Sequence, residues 1–416
     1  MGTGLARLFL VVFALSQAVE LGLEILNLRH LARSRGVPRA LKGLVRRKAA
    51  EQGRAYALAS GRLLVIRRVA GALATLALLF SGALPALDRA LAGLGLEGAH
   101  RFAAYLALVT AAVMATDLPF VAWRTFAVEA RFGFNRAGAR LFLADRARGL
   151  ALTTAFGLPF LYAIYGFMSF AGPRWWLWLF ALVVVIQVLL HLVWPVLLAP
   201  LFQRHVALPE CSLRDRLEAL ARQVGVRLGG LYVADTARRT GHANAAVCGL
   251  VRPRIVFDEA LLDRLTEDEV LGVLAHELAH YRLHHLPLRA CASLGGTLAL
   301  LVTLGWAVDW APLHAAFGFA GPSLHGTLAL VSLAGGALLF WVSPIQASWS
   351  RRHEAEADRF ALQLTGQPEA LASAVRRLSA DNLANPWPHP WYVAWRFSHP
   401  PLGERLSAIS HAAAAR

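Results

Sequence analysis

Charge is scarce along this chain: Asp, Glu, Lys and Arg make up only 16% of its 416 residues, while 57% are hydrophobic. Soluble domains carry about 25% charged residues, so this balance excludes an ordinary soluble protein. Acidic residues are the rarer sign, 26 against 42 basic ones, which leaves a formal net charge of +16. Lysine occurs only at 42 and 48, so the positive charge is nearly all Arg. With the excess of Ala, Leu and Gly, this fits a GC-rich genome. Cysteine is almost missing. Cys211, Cys248 and Cys291 lie far apart with no CxxC spacing, which excludes a disulfide framework and a thiolate zinc site.

Long apolar runs take the place of charge. Stretches free or nearly free of charge occur at 69–87, 149–173, 175–203, 290–308 and 310–350. Each reaches the roughly 20 residues that a bilayer crossing needs. Seven spans are predicted, at about 8–28, 69–87, 102–123, 150–172, 175–199, 290–308 and 326–347. A cleaved signal peptide fits the first poorly, because only Arg7 precedes it and the apolar character runs on. The basic residues sit between and beside the spans, which is a topological pattern, and no nucleic-acid partner is expected. Loops one, three and five and the C-terminal tail hold almost all of them. The N-terminus is therefore expected outside and the C-terminus inside, in the plasma or inner membrane if the host is a bacterium. Glu20 and Glu24 in the first span either face a bundle interior or mark a helix ending near Glu20.

Four portions are expected: 1–202, a membrane region of five spans; 203–288, a water-soluble α/β portion; 289–349, spans six and seven; and 350–416, a C-terminal portion. In the second, 213–224 reads as an amphipathic helix. Residues 231–233 and 254–257 read as short strands, with Pro253 at an edge.

The chemistry gathers at Leu274-Ala-His-Glu-Leu-Ala-His280. His276 and His280, four residues apart, stand one turn apart on one helix face, where both can reach one zinc ion. Glu277 beside them is placed to take a proton from a water on that ion. Thr266 and Glu269 form a capping-box pattern ahead of the apolar positions Val270, Leu271, Val273, Leu274 and Leu278. A catalytic zinc needs a third protein ligand. The extended HExxHxxGxxH pattern fails, because Leu283 and Leu286 stand where Gly and His are required. His284 and His285 are local candidates, although His284 lies two turns from His276 and reads as a membrane-edge polar residue. A better source is Arg351-Arg352-His353-Glu354-Ala355-Glu356-Ala357-Asp358. Spacing alone leaves Glu354, Glu356 and His353 open as the ligand. It also allows a plain charged helix start that anchors a span.

Several motifs follow one another along the chain: Phe132-Gly-Phe-Asn135, Pro200-Leu-Phe202, Gly241-His-Ala-Asn-Ala245 with Gly249, and Arg254-Ile-Val-Phe-Asp258. His276–His280, Glu354-x-x-x-Asp358 and Ser398-His-Pro-Pro401 with Glu404-Arg405 follow. Together with seven spans, they resemble the type I CAAX prenyl endopeptidases, seven-span zinc peptidases that process a-factor-like and prelamin-like proteins. The resemblance covers most of the chain. It implies a predominantly α, polytopic fold with seven transmembrane helices forming a barrel around a water-filled chamber, plus a small gluzincin-like α/β portion. Glu20, Glu24 and Asp117 would then face the chamber.

The same resemblance implies that one zinc ion is bound by His276, His280 and Glu354, with Glu277 as general base and Asp358 holding a ligand histidine. His399, with Arg405 nearby, would lie across the metal from Glu277, where developing negative charge needs a donor. Without it, the Pro400–Pro401 tail would read as packing only. Residues 242–247 would be the edge strand that holds an extended substrate, with His242, Asn244 and Ala245 in contact with it. Ala243, Ala246, Val247 and Gln203 depart from the usual pattern, which leaves substrate preference open. The expected activity is hydrolysis of a polypeptide at the membrane, with or without a C-terminal lipid, and the bilayer is the other partner. A heat-shock-type quality-control zinc protease shares HExxH and a later Glu ligand but is a shorter chain with fewer spans. A transporter with a structural metal would give Glu277 no role.

Overall fold

A computed structural model of the chain describes residues 2–193, 204–235, 242, 244–249 and 253–414. Pro200-Leu-Phe202, Gln203, Gly241, Ala243 and the end of the fifth span lie outside the described residues. Among the described residues, seven helices are long and apolar enough to cross a bilayer: Gly4–Arg33, Arg47–Phe80, Gly98–Glu129, Ala139–Phe170, Gly172–Val193, His285–Ala307 and Leu324–Thr365. The second expected span is displaced. Its helix stops at Phe80, because Gly82 adopts a left-handed φ of 78°, and it extends backwards through the basic segment to Arg47.

Each span packs against the next, and the seventh returns to the first, so the seven close into a ring. Only 6–22% of the apolar stretch of each span is buried. Most of that apolar surface is left for lipid to cover, and the seventh span also touches the second and third. Two short helices, Ala83–Gly93 and Ala311–Ala316, lie at one end of the ring. There Leu84, Leu91 and Phe317 pack with Leu79, Tyr105 and Leu330 of the wall and close that end.

The first helix runs unbroken from Gly2 to Arg33, which overturns an ending near Glu20. Glu20 instead pairs with Arg68 and Arg396, and Glu24 lies 3.6 Å from Arg68. Asp117 pairs with Arg67. In a wall facing lipid, pairing of this kind removes the cost of a lone charge.

The open end carries the soluble portion. Four strands, β1 (His205–Ala207), β2 (Gly230–Ala234), β3 (Ala245–Cys248) and β4 (Arg254–Asp258), form one sheet in the order β1-β2-β4-β3. β2 and β4 are parallel, and the outer strands run antiparallel to their neighbours. β4 is therefore interior, and Pro253 avoids interrupting it by standing just ahead of its first residue. Alternate residues Ile255 and Phe257 point into a core with Leu217, Leu231, Leu274 and Leu278. That core fixes the Glu267–Arg282 helix against the sheet. Its start is held by the Thr266–Glu269 capping box.

The seventh span differs most from its expected form. Leu324–Leu339 passes through a 3-10 turn at Phe340–Val342 directly into Ser343–Thr365. At 1.5 Å per residue, this 42-residue run is about 63 Å long, twice the roughly 30 Å hydrocarbon core. Its second half extends from the membrane and lies along the Glu267–Arg282 helix. The boundary expected between 349 and 350 falls inside this continuous rod.

Candidate active site at the foot of the seventh span

The two packed helices bring three donor atoms together. His276 Nε2 lies 3.3 Å from His280 Nε2 and 3.3 Å from Glu354 Oε2, and His280 Nε2 lies 3.5 Å from Glu354 Oε1. A tetrahedral ion held at 2.0–2.1 Å requires donors about 3.3–3.4 Å apart, so the triangle has the size of a zinc or similar first-row site. Glu354 Oε2 is buried and makes no hydrogen bond, an arrangement that is costly without a cation between the donors. Burial works against charge on His276, but Asp358 and Glu354 override it and lift its pKa to about 9. Burial and the neighbouring His276 push His280 down to about 3. The two shifts oppose each other, so it is the spacing and chemistry of the three donors that fit a metal.

Asp358 stands one turn beyond Glu354, its Oδ1 2.9 Å from His276 Nδ1. That contact places the proton on Nδ1 and leaves Nε2 free to bind. Arg405 approaches Asp358 from the C-terminal Leu402–Ala414 helix, donating from Nε and Nη2 at 2.7 Å each. The expected grouping of Arg405 with His399 therefore divides. Arg405 clamps the carboxylate that orients His276, while His399 faces the cavity, its Nε2 3.4 Å from Glu354 Oε2. Arg351, whose place at a charged helix start also allowed an anchoring role, donates to the carbonyls of Val393 and Phe397 and secures the segment leading to His399.

Glu277 lines a cavity of about 570 Å³ together with His276, Glu354, His399, Asn244 and Ala245. Burial raises its pKa, with Glu354 adding to the effect and His276 opposing it. A carboxylate raised in this way is a stronger base than an exposed one. Burial also raises the Cys248 thiol, with Glu277 adding to the effect, which works against thiolate formation.

β3 is an edge strand, bonded among the described residues to β4 on one side only, so its outer backbone groups can pair with an extended peptide. Asn244 and Ala245 reach the cavity from its start. His242 does not. Its ring stacks on Phe134 at 3.8 Å, with Nδ1 3.3 Å from Asn382 and Nε2 3.4 Å from Glu129. His242 thus roots the strand in the third span and is no part of the cavity wall. Glu129 ends a π-helical segment, Arg124–Glu129, and also accepts from Tyr56 of the second span at 2.8 Å. Sequence reasoning missed this linkage, although the Phe132-Gly-Phe-Asn135 motif marked the place.

A metal-fitting HExxH site on a seven-helix wall, beside a peptide-ready strand edge, defines an integral-membrane metallopeptidase. Two family descriptions match: "CAAX prenyl protease N-terminal, five membrane helices" over residues 27–204, and "Peptidase family M48" over residues 207–413. The CAAX prenyl protease 1 homolog of Arabidopsis thaliana is 33% identical over 90% of both chains. CAAX prenyl protease 1 of Saccharomyces cerevisiae is 29% identical, over 74% of this chain and 71% of its own length. The crystal structure of S. mikatae Ste24p superposes with a TM-score of 0.89 over 96% of this chain and 98% of its own, at 24% identity, a likeness of fold. The chain belongs to the CAAX prenyl endopeptidase family and is a metal-dependent membrane protease. The match across the five-helix membrane region disfavours the shorter quality-control proteases.

Proposed function

We propose that the chain is a zinc endopeptidase that removes C-terminal residues from prenylated polypeptides at the cytoplasmic face of the membrane. The observation that carries the reading is the donor triangle of His276, His280 and Glu354, with Glu277 beside it in the same cavity. These three residues would hold one zinc ion. When bound, the ion supplies Lewis acidity to the scissile carbonyl and to the attacking water. The substrate backbone adds to the outer side of β3, with Asn244 and Ala245 at the reacting bond. Glu277 accepts the water's proton and passes it to the leaving amine. His399 donates from Nε2 toward the oxygen on which negative charge develops. Asp358 holds His276 in one tautomer, and Arg405 holds Asp358.

A lipidated substrate suits the architecture, because the rod carrying Glu354 continues the seventh span and keeps the catalytic centre near the bilayer. The cytoplasmic placement rests on the Arg-rich loops and tail. The test is the cleavage rate of a prenylated CAAX peptide against its unmodified counterpart, using purified full-length protein. Faster cleavage of the prenylated form is expected; equal rates would remove lipid recognition from the proposal.

A further inference from the structure

A second group of polar side chains lies immediately behind the candidate metal site. His285 Nδ1 is 3.0 Å from His280 Nδ1, and His285 Nε2 is 3.0 Å from Glu356 Oε2. His285 is 2% exposed. On a continuous helix, a residue five positions on lies about 140° round the axis and would face away from His280. The chain avoids this at His284, which takes a left-handed conformation, φ 59° and ψ 27°, between the two helices. That turn is unusual for a residue other than glycine, and it returns His285 to His280 as the first residue of the sixth span.

Proton bookkeeping assigns the roles. If His280 binds metal through Nε2, its Nδ1 carries a proton and donates to His285 Nδ1. His285 then holds its own proton on Nε2 and donates it to the Glu356 carboxylate. Two neutral imidazoles and one ionised carboxylate satisfy every contact. His353 lies flat on His285, ring centroids 4.0 Å apart and planes 5° from parallel, and Trp349 meets the His353 ring edge-on at 4.9 Å.

We infer that His285 and Glu356 form a relay that fixes the tautomer and orientation of His280 for metal binding. It does for His280, through one inserted imidazole, what Asp358 does for His276. The inference rests on the assignment of His280 as a ligand.

A rival use exists for the same residues. His285, His353 and Glu356 are close enough to hold an ion of their own, and His353 Nδ1 is buried without a partner. Two features oppose it. Ligand lone pairs lie in the ring plane, so an ion about 2 Å from one nitrogen in its plane lies well out of the plane of the parallel ring. An ion on His285 Nε2 would also put a proton on Nδ1, facing the proton that a metal-bound His280 carries.

The experiment measures zinc affinity and stoichiometry by competition with a chromophoric chelator, on the full-length protein in detergent. His285→Ala and Glu356→Ala are expected to weaken zinc binding by about 10–100-fold. Glu356→Gln should recover most of the loss, because its amide oxygen still accepts from His285. The Glu356 side chain is 46% exposed, so its replacement leaves the core untouched. Wild-type affinity in both alanine variants would overturn the relay, as would a Gln variant no better than Ala. Two zinc ions in the wild type, with Glu356→Ala losing only the weaker, would assign the cluster to a second metal instead. His276→Ala and Glu354→Ala test the parent assignment separately: wild-type zinc affinity in those variants would sink the site itself and not only its relay.

Discussion

The membrane wall and the peptidase portion are built to opposite standards of packing. In the wall, no more than 22% of any apolar stretch is buried, and large side chains such as Leu300 and Val302 stand exposed along it. In the Glu267–Arg282 helix, nine of sixteen residues are buried, with Leu274, Ala275, Leu278 and Ala279 at 0% exposure. Lipid supplies the solvent for the first, and interdigitated side chains hold the second. The contrast teaches where rigidity is needed. A metal site tolerates errors of only a few tenths of an ångström, whereas a wall needs only to close and to keep its polar backbone paired. The seventh span joins the two regimes in one rod.

Substitutions in the two regions test this difference. The largest effect is expected from Leu274→Ala, which opens a cavity beneath the ligand helix and should cost about 2–5 kcal/mol. Denaturant unfolding in detergent measures it, and a loss under 1 kcal/mol would mean that the soluble core is looser than its burial suggests. Arg405→Lys comes next. It keeps the charge but loses the paired donation to Asp358, so zinc affinity should fall about 10-fold while the fold stays intact. Unchanged affinity would show that His276 needs no such clamp. Leu300→Ala on the wall should be smallest, within about 0.5 kcal/mol in the same unfolding assay. A loss comparable to that of Leu274→Ala would erase the distinction between the regions.

Much of this arrangement was legible in the sequence. The spans follow from composition, the HELAH helix from its capping box and i, i+4 histidines, and the proposed ligand Glu354 from family resemblance. What escaped detection has physical reasons. The seventh span appeared to end near 347 because hydropathy stops at Arg351, but backbone hydrogen bonding does not depend on hydropathy and the helix continues to Thr365. His285 was a candidate ligand, but its contact with His280 escaped because periodicity assumes a continuous helix, and one left-handed residue at His284 rotates everything after it. The pairings of Arg405 with Asp358 and of His242 with Glu129 join positions 47 and 113 residues apart, which no local pattern encodes. For the same reason His242 was expected at the substrate and lies instead against Phe134.

In the proposed function, hydrolysis depends on Glu277 acting as a base beside a metal it does not bind. Glu277→Gln, assayed on a prenylated CAAX peptide with zinc content measured on the same sample, tests it most directly. Wild-type zinc content with cleavage reduced about 10²–10⁴-fold is expected. Cleavage at the wild-type rate would contradict it.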